Sequence, residues 1–113
     1  MSDCIFCKIV SGEIPADKLY EDEHFVVFHD IAPAAEIHVL VIPKKHITSF
    51  FDLAPEDHDL MGQLTLSIPK IAGMLGLEEG FKTLINTGHG GGQKVFHLHY
   101  HILGGRQLKR TIG

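Results

Sequence analysis

The chain has 113 residues, of which 44% are hydrophobic, and its formal net charge is −4 at pH 7. This length is enough for one domain with a single core, and the acidic balance argues against broad nucleic-acid binding, which normally needs a basic face. No apolar run approaches the roughly 18 residues of a membrane span, and the N-terminus lacks the basic and apolar regions of a signal peptide. We therefore predict one cytoplasmic domain over residues 1–113, with neither a membrane nor a nucleic-acid partner.

The first half of the chain predicts one short helix followed by three strands. These elements cover residues 5–11, 18–21, 25–29 and 37–42. Asp22 and Glu23 lie between the first two strands and are candidates for a hairpin turn. The third strand is a run of branched apolar residues stopped by Pro43, which is typical of a buried strand.

The longest helical signal begins near Pro55. Proline suits a first helical position, and Glu56 and Asp57 favour the positive end of the helix dipole. Five apolar residues then repeat at helical spacing: Leu60, Leu64, Ile68, Ile71 and Leu75. Gly76 is typical of a helix end, and Pro69 should bend the helix or remove one of its hydrogen bonds.

The last third of the chain predicts two strands joined by a glycine-rich loop. Residues 81–86 form the first strand, and the loop covers residues 86–93. His97, His99 and His101 then alternate with apolar or aromatic residues, so a strand would place three imidazoles on one face. A glycine-rich loop before such a row indicates a bound anion beside a histidine nucleophile or ligand. The order of strands, one long helix and further strands predicts an α+β fold with a mainly antiparallel sheet.

Several separated motifs resemble those of the histidine triad family, in its nucleotide-binding branch. The motifs are Ile5–Ile9, Phe28–Pro33, Val41–His46, His97–Leu103 and Gly104–Arg106. They span nearly the whole chain in the expected order. The resemblance implies a HIT-like fold and a homodimer that pairs through the long helix and a neighbouring strand. Met61, Leu66 and Ala72 widen the apolar face of that helix beyond one stripe.

The resemblance also implies a purine nucleotide-binding hydrolase that acts at the α-phosphate, of the nucleoside phosphoramidase type. Its substrate would be an adenosine monophosphate derivative or a similar nucleotide. His99 would become nucleotidylated, His101 would contact the phosphate and help the leaving group, and His38 would support the nucleophile, with His97 completing the triad. A neutral imidazole can attack at neutral pH because the ordinary histidine pKa is about 6.5. Taken alone, His38 reads as a half-buried strand histidine bonded to a carbonyl.

The resemblance places the phosphate among polar donors and the base in an apolar slot. The phosphate contacts are Asn86, Gly92, Gln93, Lys94, Val95, His99 and His101. The nucleoside contacts are Phe6, Ile9, Phe28, His29, Asp30 and Ile31. Glycines allow backbone N–H groups to converge on an anion, and Asp30 would accept hydrogen bonds from both ribose hydroxyls. Without the resemblance, these residues read as a surface turn, a turn aspartate and ordinary core.

Other functions stay open at this stage. The triad histidines could hold a catalytic zinc ion, or the domain could bind nucleotides with little turnover. The dinucleoside polyphosphate hydrolases of the family are a further alternative, although they usually carry Gln where this chain has His101. Many members of the nucleotide-binding branch carry Ser or Thr where Lys94 stands, which leaves the preferred leaving group open.

Cys4 and Cys7 form a Cys-x-x-Cys pair, which is half of a tetrahedral zinc site. A redox role would place the pair after a strand and at the start of a helix, whereas no predicted strand precedes it, and a structural disulfide is not expected in a reducing cytoplasm. Zinc-bearing relatives in the wider superfamily complete such a pair with two histidines, which the resemblance matches to His46 and His97. We expect one structural zinc with four protein ligands; the alternative is two small buried thiols.

Overall fold

The computed structural model describes residues 3–106 and 108, and this part of the chain contains one five-stranded antiparallel sheet and two α-helices. The strands are β1 (Lys18–Glu21), β2 (Phe25–His29), β3 (Ile37–Pro43), β4 (Lys82–Leu84) and β5 (Tyr100–Gly104). The helices are α1 (Ile5–Ser11) and α2 (His58–Met74), with short 3-10 helices at Phe50–Asp52, Pro55–Asp57 and His89–Gly91. The predicted α+β class is confirmed. The remaining residues of the domain predicted over 1–113 lie outside the described part.

The strands lie in the order β1-β2-β3-β5-β4, and both faces of the sheet are covered. Successive side chains of a strand point to opposite faces. One set packs with α2 around Phe25, Val27, Val39, Val41, Tyr100 and Ile102. The other set packs with α1 around Val26, Phe28, Leu40 and Ile42. This double coverage explains why β2 and β3 are apolar at nearly every position.

The hairpin between β1 and β2 forms where the sequence predicts it. The Asp22 carboxylate accepts hydrogen bonds from the backbone N–H groups of His24 and Phe25, at 2.8 and 2.9 Å. The Asp22 N–H also donates to the Phe25 carbonyl at 3.0 Å. A single aspartate therefore closes the turn, as short polar side chains commonly do.

Helix α2 is continuous through Pro69 and ends before Gly76, whose φ is +74°. Its predicted start is confirmed at Pro55, although the first turn is 3-10. The buried Asp57 carboxylate accepts from the Ala54 N–H at 3.0 Å and pairs with Lys45 Nζ at 2.6 Å. The Lys45 ammonium holds the pKa of Asp57 below its usual value. This pair fixes the start of α2 against the segment that follows β3.

Two predicted strands are shorter than expected. The strand predicted over 81–86 is only β4, and β5 begins at Tyr100, so His97 and His99 precede it. Val41 and Tyr100 are the last paired residues between β3 and β5. Pro43, two residues further along β3, has no N–H to donate to a ladder. Its carbonyl oxygen lies 2.8 Å from the His97 ring nitrogen Nε2. At this point a hydrogen bond from the His97 side chain therefore takes the place of a backbone hydrogen bond between the two strands.

The described helices include none that is long and apolar enough to cross a membrane.

Leu64 is fully buried between α2 and the sheet, so its truncation should destabilise the fold. We expect Leu64→Ala to lower the free energy of unfolding by about 2–5 kcal/mol, because a cavity is added to the lost burial. The exposed neighbour Gln63 is the control, and Gln63→Ala should change stability by less than about 0.5 kcal/mol. Urea unfolding measures both, and equal effects of the two substitutions would contradict the packing described for α2.

Candidate active site

Four imidazoles meet beside the β3–β5 pair. His38 comes from β3, His101 from β5, and His97 and His99 from the segment just before β5. The His99 and His101 ring centroids are 4.9 Å apart, and those of His38 and His101 are 5.2 Å apart. Burial lowers the pKa of all four imidazoles, to about 4 for His97 and for His101. All four rings are therefore neutral at pH 7.

The His99 ring is oriented by a backbone carbonyl. Its Nδ1 lies 2.7 Å from the His97 carbonyl oxygen, so Nδ1–H is the donor. In a neutral imidazole the other nitrogen then carries the lone pair. The Phe6 ring stands edge-on to the His99 ring, with centroids 5.1 Å apart. The middle histidine of the triad is thus a fixed, neutral imidazole with a nucleophilic Nε2.

A cavity of about 570 Å³ lies next to His99 and His101. This volume is in the range of small-molecule sites. The predicted nucleotide contacts that line it are Phe6, Ile9, Phe28, His29, Asp30, Ile31, Asn86, Gly92, Lys94, Val95, His99 and His101. His38 lines it as well, whereas the side chains of Gln93 and His97 do not contribute. The structure therefore brings together all but one of the residues predicted to hold a nucleotide.

Part of the cavity lining is apolar and aromatic. Phe6 and Phe28 meet edge to face there, with centroids 5.5 Å apart. Several further lining residues were not predicted: Ile14, Pro15, Ala16, Leu40, Leu84 and Leu103. Leu103 ends the motif His97–Leu103, and the other five belong to no motif; all six look like ordinary core residues, so no signal in the sequence separates them from the core.

Asp30 makes the turn contact expected of it and also lines the cavity. Its Oδ1 accepts from the Ala32 N–H at 2.8 Å, which is the turn contact. Its Oδ2 lies 3.5 Å from His38 Nε2, at the wall of the cavity. One carboxylate oxygen therefore shapes the loop after β2, and the other faces the site.

The glycine-rich loop uses several of its backbone amides for its own turns. The N–H groups of Gly91 and Gln93 donate to the Gly88 carbonyl at 3.2 and 3.0 Å, and that of Gly92 donates to the His89 carbonyl. These three amides therefore close the loop's own turns, and the convergence of loop amides on a phosphate stays a prediction. Among the described residues, the N–H groups of Lys94 and Val95 have no protein acceptor.

The Gln93 side chain supports the loop from behind. Its Oε1 accepts from the Gly88 N–H at 2.8 Å, and its Nε2 donates to the carbonyls of Thr48 and Val95. Asn86 closes the same loop by donating to the Gly91 carbonyl at 2.8 Å, and it also lines the cavity. The sequence could not distinguish these two amides, because both flank the glycines in the same way.

Cys4, Cys7, His46 and His97 form a separate cluster on the other side of the triad. His97 Nδ1 lies 3.3 Å from Cys4 Sγ, 3.5 Å from Cys7 Sγ and 3.2 Å from His46 Nδ1. Four ligands around one zinc ion would be separated by about 3.3–3.8 Å, given bond lengths of about 2.0–2.3 Å. Because Nε2 of His97 donates to the Pro43 carbonyl, its Nδ1 carries the lone pair that a metal ion requires.

The chain is similar to known proteins over nearly its whole length. The HIT domain model matches residues 11–108. Protein HitA of Neisseria gonorrhoeae is 58% identical over 104 residues, which cover 92% of this chain and 97% of HitA. A HIT family hydrolase from Legionella pneumophila Philadelphia 1 has a TM-score of 0.93 and 44% identity, covering 98% of this chain and 100% of that chain. A histidine triad protein from Clostridium difficile has a TM-score of 0.92 and 45% identity, covering 99% and 98% of the two chains.

These similarities and the geometry of the site agree. Three of the motifs that carried the resemblance, Ile5–Ile9, Phe28–Pro33 and His97–Leu103, contribute residues to one cavity, and the fold is that of the solved relatives. The chain belongs to the HIT family.

Proposed function

We propose that the protein is a purine nucleotide-binding hydrolase of the nucleoside phosphoramidase type, acting at the α-phosphate. The observation that carries the proposal is the fixed neutral His99 imidazole at the cavity wall, with Nδ1–H on the His97 carbonyl. Such an imidazole needs no deprotonation before it attacks. The Legionella relative is named a HIT family hydrolase, which supports the same reaction class.

The proposed reaction has two steps. The Nε2 lone pair of His99 forms a bond to phosphorus, and the bond from phosphorus to the leaving group breaks with its electron pair going to the leaving group, which takes a proton from water. Water then attacks the nucleotidyl-histidine and releases a proton, while the P–N pair returns to Nε2 and a nucleoside monophosphate leaves. The His97 carbonyl faces the ring throughout and stabilises the positive charge that it gains on attack.

The polar end of the cavity offers donors for the phosphate oxygens. They are the N–H groups of Lys94 and Val95, the second N–H of the Asn86 amide, and the His101 ring. We propose that Asp30, beside His38, accepts hydrogen bonds from the ribose hydroxyls, while Phe6 and Phe28 contact the base. Because the base would be held by apolar contact, its identity is weakly specified.

A catalytic zinc ion held by the three triad histidines does not fit this geometry. The His97 ring faces Cys4, Cys7 and His46, whereas His99 and His101 line the cavity. Within residues 3–106, no metal-binding cluster combines His97 with either of the other two. The nucleophilic reaction is therefore favoured over the metalloenzyme alternative.

His99→Ala should abolish turnover of adenosine phosphoramidate while leaving the fold intact. We expect a loss of at least about 10³-fold in kcat, because removal of a nucleophile cannot be compensated by the rest of the site. The matched control is the exposed His24, whose replacement by Ala should leave kcat unchanged. Mass spectrometry of the parent quenched during turnover should locate the nucleotidyl adduct on His99. Parent-level activity of His99→Ala would refute the mechanism, and binding without any turnover in the parent would identify a binding module.

We also propose that Cys4, Cys7, His46 and His97 hold one structural zinc ion. The Nδ1 atoms of His46 and His97 lie 3.2 Å apart, and His97 Nδ1 carries a lone pair, so a cation could be shared between the two nitrogens if His46 holds its proton on Nε2. The His46 Nε2 lies 3.4 Å from the Thr48 hydroxyl, which can accept its proton. With four protein ligands the ion would be structural, and it would tie the start of α1 to the triad.

Removal of zinc should lower stability more than turnover of the folded protein. We expect about one zinc per chain by elemental analysis, and a lower melting temperature after chelation. Cys4→Ser and His46→Asn should each reduce the bound zinc, whereas His24→Asn should not. Zinc should also be lost on acidification, because thiolate ligands must be deprotonated. Zinc-free protein with both thiols freely titratable would show a pair of ordinary buried cysteines.

A homodimer that pairs through α2 and the adjacent edge strand β4 is the third part of the proposal. Leu66 is 79% exposed on α2, and β4 has its second edge unpaired within the described sheet. Met61 is half-buried beside it, but Ala72 packs into the core of its own chain, so the predicted interface role of Ala72 is wrong.

Sedimentation should show twice the chain mass of 12.5 kDa at micromolar concentration. Leu66→Glu should shift the protein toward the monomer, since a charge would be buried in an apolar contact. Ser11→Glu, an exposed change on α1, should leave the dimer intact. A parent protein that sediments as a monomer would contradict the proposal.

A further inference from the structure

One buried polar atom of the site has no partner. The Nε2 of His101 is buried without a hydrogen-bond partner among the described residues. The other nitrogen of that ring, Nδ1, lies 2.9 Å from His38 Nε2. His38 Nδ1 in turn accepts a hydrogen bond from the backbone N–H of Ala34 at 3.0 Å. These three residues form a hydrogen-bonded chain that ends at the cavity, because His38 and His101 both line it.

The Ala34 backbone amide fixes the direction of both hydrogen bonds in this series, from Ala34 to His38 and from His38 to His101. An amide N–H can only donate, so His38 Nδ1 must be the acceptor, and neutral His38 carries its proton on Nε2. That proton is donated to His101 Nδ1, which must then carry a lone pair. The single proton of neutral His101 is therefore on Nε2, the atom without a partner. Burial favours the neutral form of both rings, since it lowers the pKa of each.

The same hydrogen bonds argue against a metal ion between Asp30, His38 and His101. Asp30, His38 and His101 have ligand atoms within 4.8 Å of one another, a set that resembles a metal site by composition. A metal on His38 Nε2 would require the proton on Nδ1, where it would oppose the Ala34 N–H at 3.0 Å. Asp30 Oδ2, 3.5 Å from His38 Nε2, is an acceptor and favours the same tautomer that the amide imposes.

We propose that His38 is a positioning residue that fixes the tautomer of His101, so that His101 acts as a neutral hydrogen-bond donor to an anionic ligand oxygen. The assignment of that oxygen to the α-phosphate rests on the proposed function, whereas the tautomers do not. A neutral imidazole N–H is too weak an acid to be released at neutral pH. His101 therefore stabilises charge by hydrogen bonding, and the proton for the leaving group comes from solvent.

The tautomers can be measured directly on the ligand-free chain. In protein with ¹⁵N-labelled histidine at pH 7.5, two-bond ¹H–¹⁵N correlations report which ring nitrogen bears the proton. We expect the Nε2–H form for both His38 and His101. The Nδ1–H form at His101, or a doubly protonated ring, would overturn the proposal whether or not the protein hydrolyses nucleotides.

Two substitutions separate positioning from simple packing. In His38→Gln the amide oxygen can accept from Ala34 and the amide N–H can donate to His101, so His101 should keep the proton on Nε2. In His38→Glu the carboxylate can only accept, so the proton of His101 should move to Nδ1, or the ring should become doubly protonated. An unchanged His101 tautomer in a folded His38→Glu variant would overturn the role of His38. If that variant does not fold, loss of the Nε2–H form in His38→Gln would overturn it.

Proton uptake on binding gives the second readout. Titration of the parent with AMP at pH 8, in two buffers of different ionisation enthalpy, measures the number of protons taken up. If His101 stays a neutral donor, about zero protons are taken up per AMP bound. Uptake of about one proton, by a His101 that becomes charged on the phosphate, would overturn the proposal. Failure of AMP to bind would refute the proposed function, and the ligand-free tautomers would still decide the role of His38.

Discussion

The hydrogen bond from His97 Nε2 to the Pro43 carbonyl is the contact on which both halves of the site depend. It ends the pairing of β3 with β5, because the ring occupies the carbonyl that a ladder would use. It turns Nδ1 of the same ring toward Cys4 and His46. The backbone of His97 stays free to orient the next triad histidine through its carbonyl. His97 therefore links the Cys4–Cys7–His46 cluster, through its side chain, to the ring of His99 at the cavity, through its backbone.

Backbone groups decide the proton positions of the whole histidine set. The Pro43 carbonyl orients His97, the His97 carbonyl orients His99, and the Ala34 amide orients His38. Backbone dipoles are fixed by the fold and do not titrate, so they hold these tautomers over a wide range of pH. Burial adds to this by disfavouring the charged rings. A row of four imidazoles would otherwise exchange protons freely, and the site would have no defined nucleophile.

Much of the fold was predictable because its signals are local. The β1 and β2 strands have the predicted limits, since apolar residues and an aspartate turn mark them directly. The start of β5 was not predictable. A period of two along the triad does not show that this segment lies beside Pro43, which is far away in sequence and has no N–H to pair. The glycine loop shows the same limit: its amides are satisfied within the loop, while Gln93 reaches across to Thr48. Most of the cavity residues within motifs were found, and Ala34 was missed because a backbone amide leaves no mark in a side-chain pattern.

The distance along the chain between Cys4 and His97 has a consequence for biosynthesis. Their contact joins residues 93 positions apart, so it forms only after all the residues between them have been made. During translation the two thiols emerge first and wait for β3, α2 and the triad segment to fold behind them. Long-range contacts of this kind form late, because the intervening chain must be ordered before its ends can meet. A Cys-x-x-Cys pair that must wait for a distant histidine stays exposed to oxidation until the triad segment has folded.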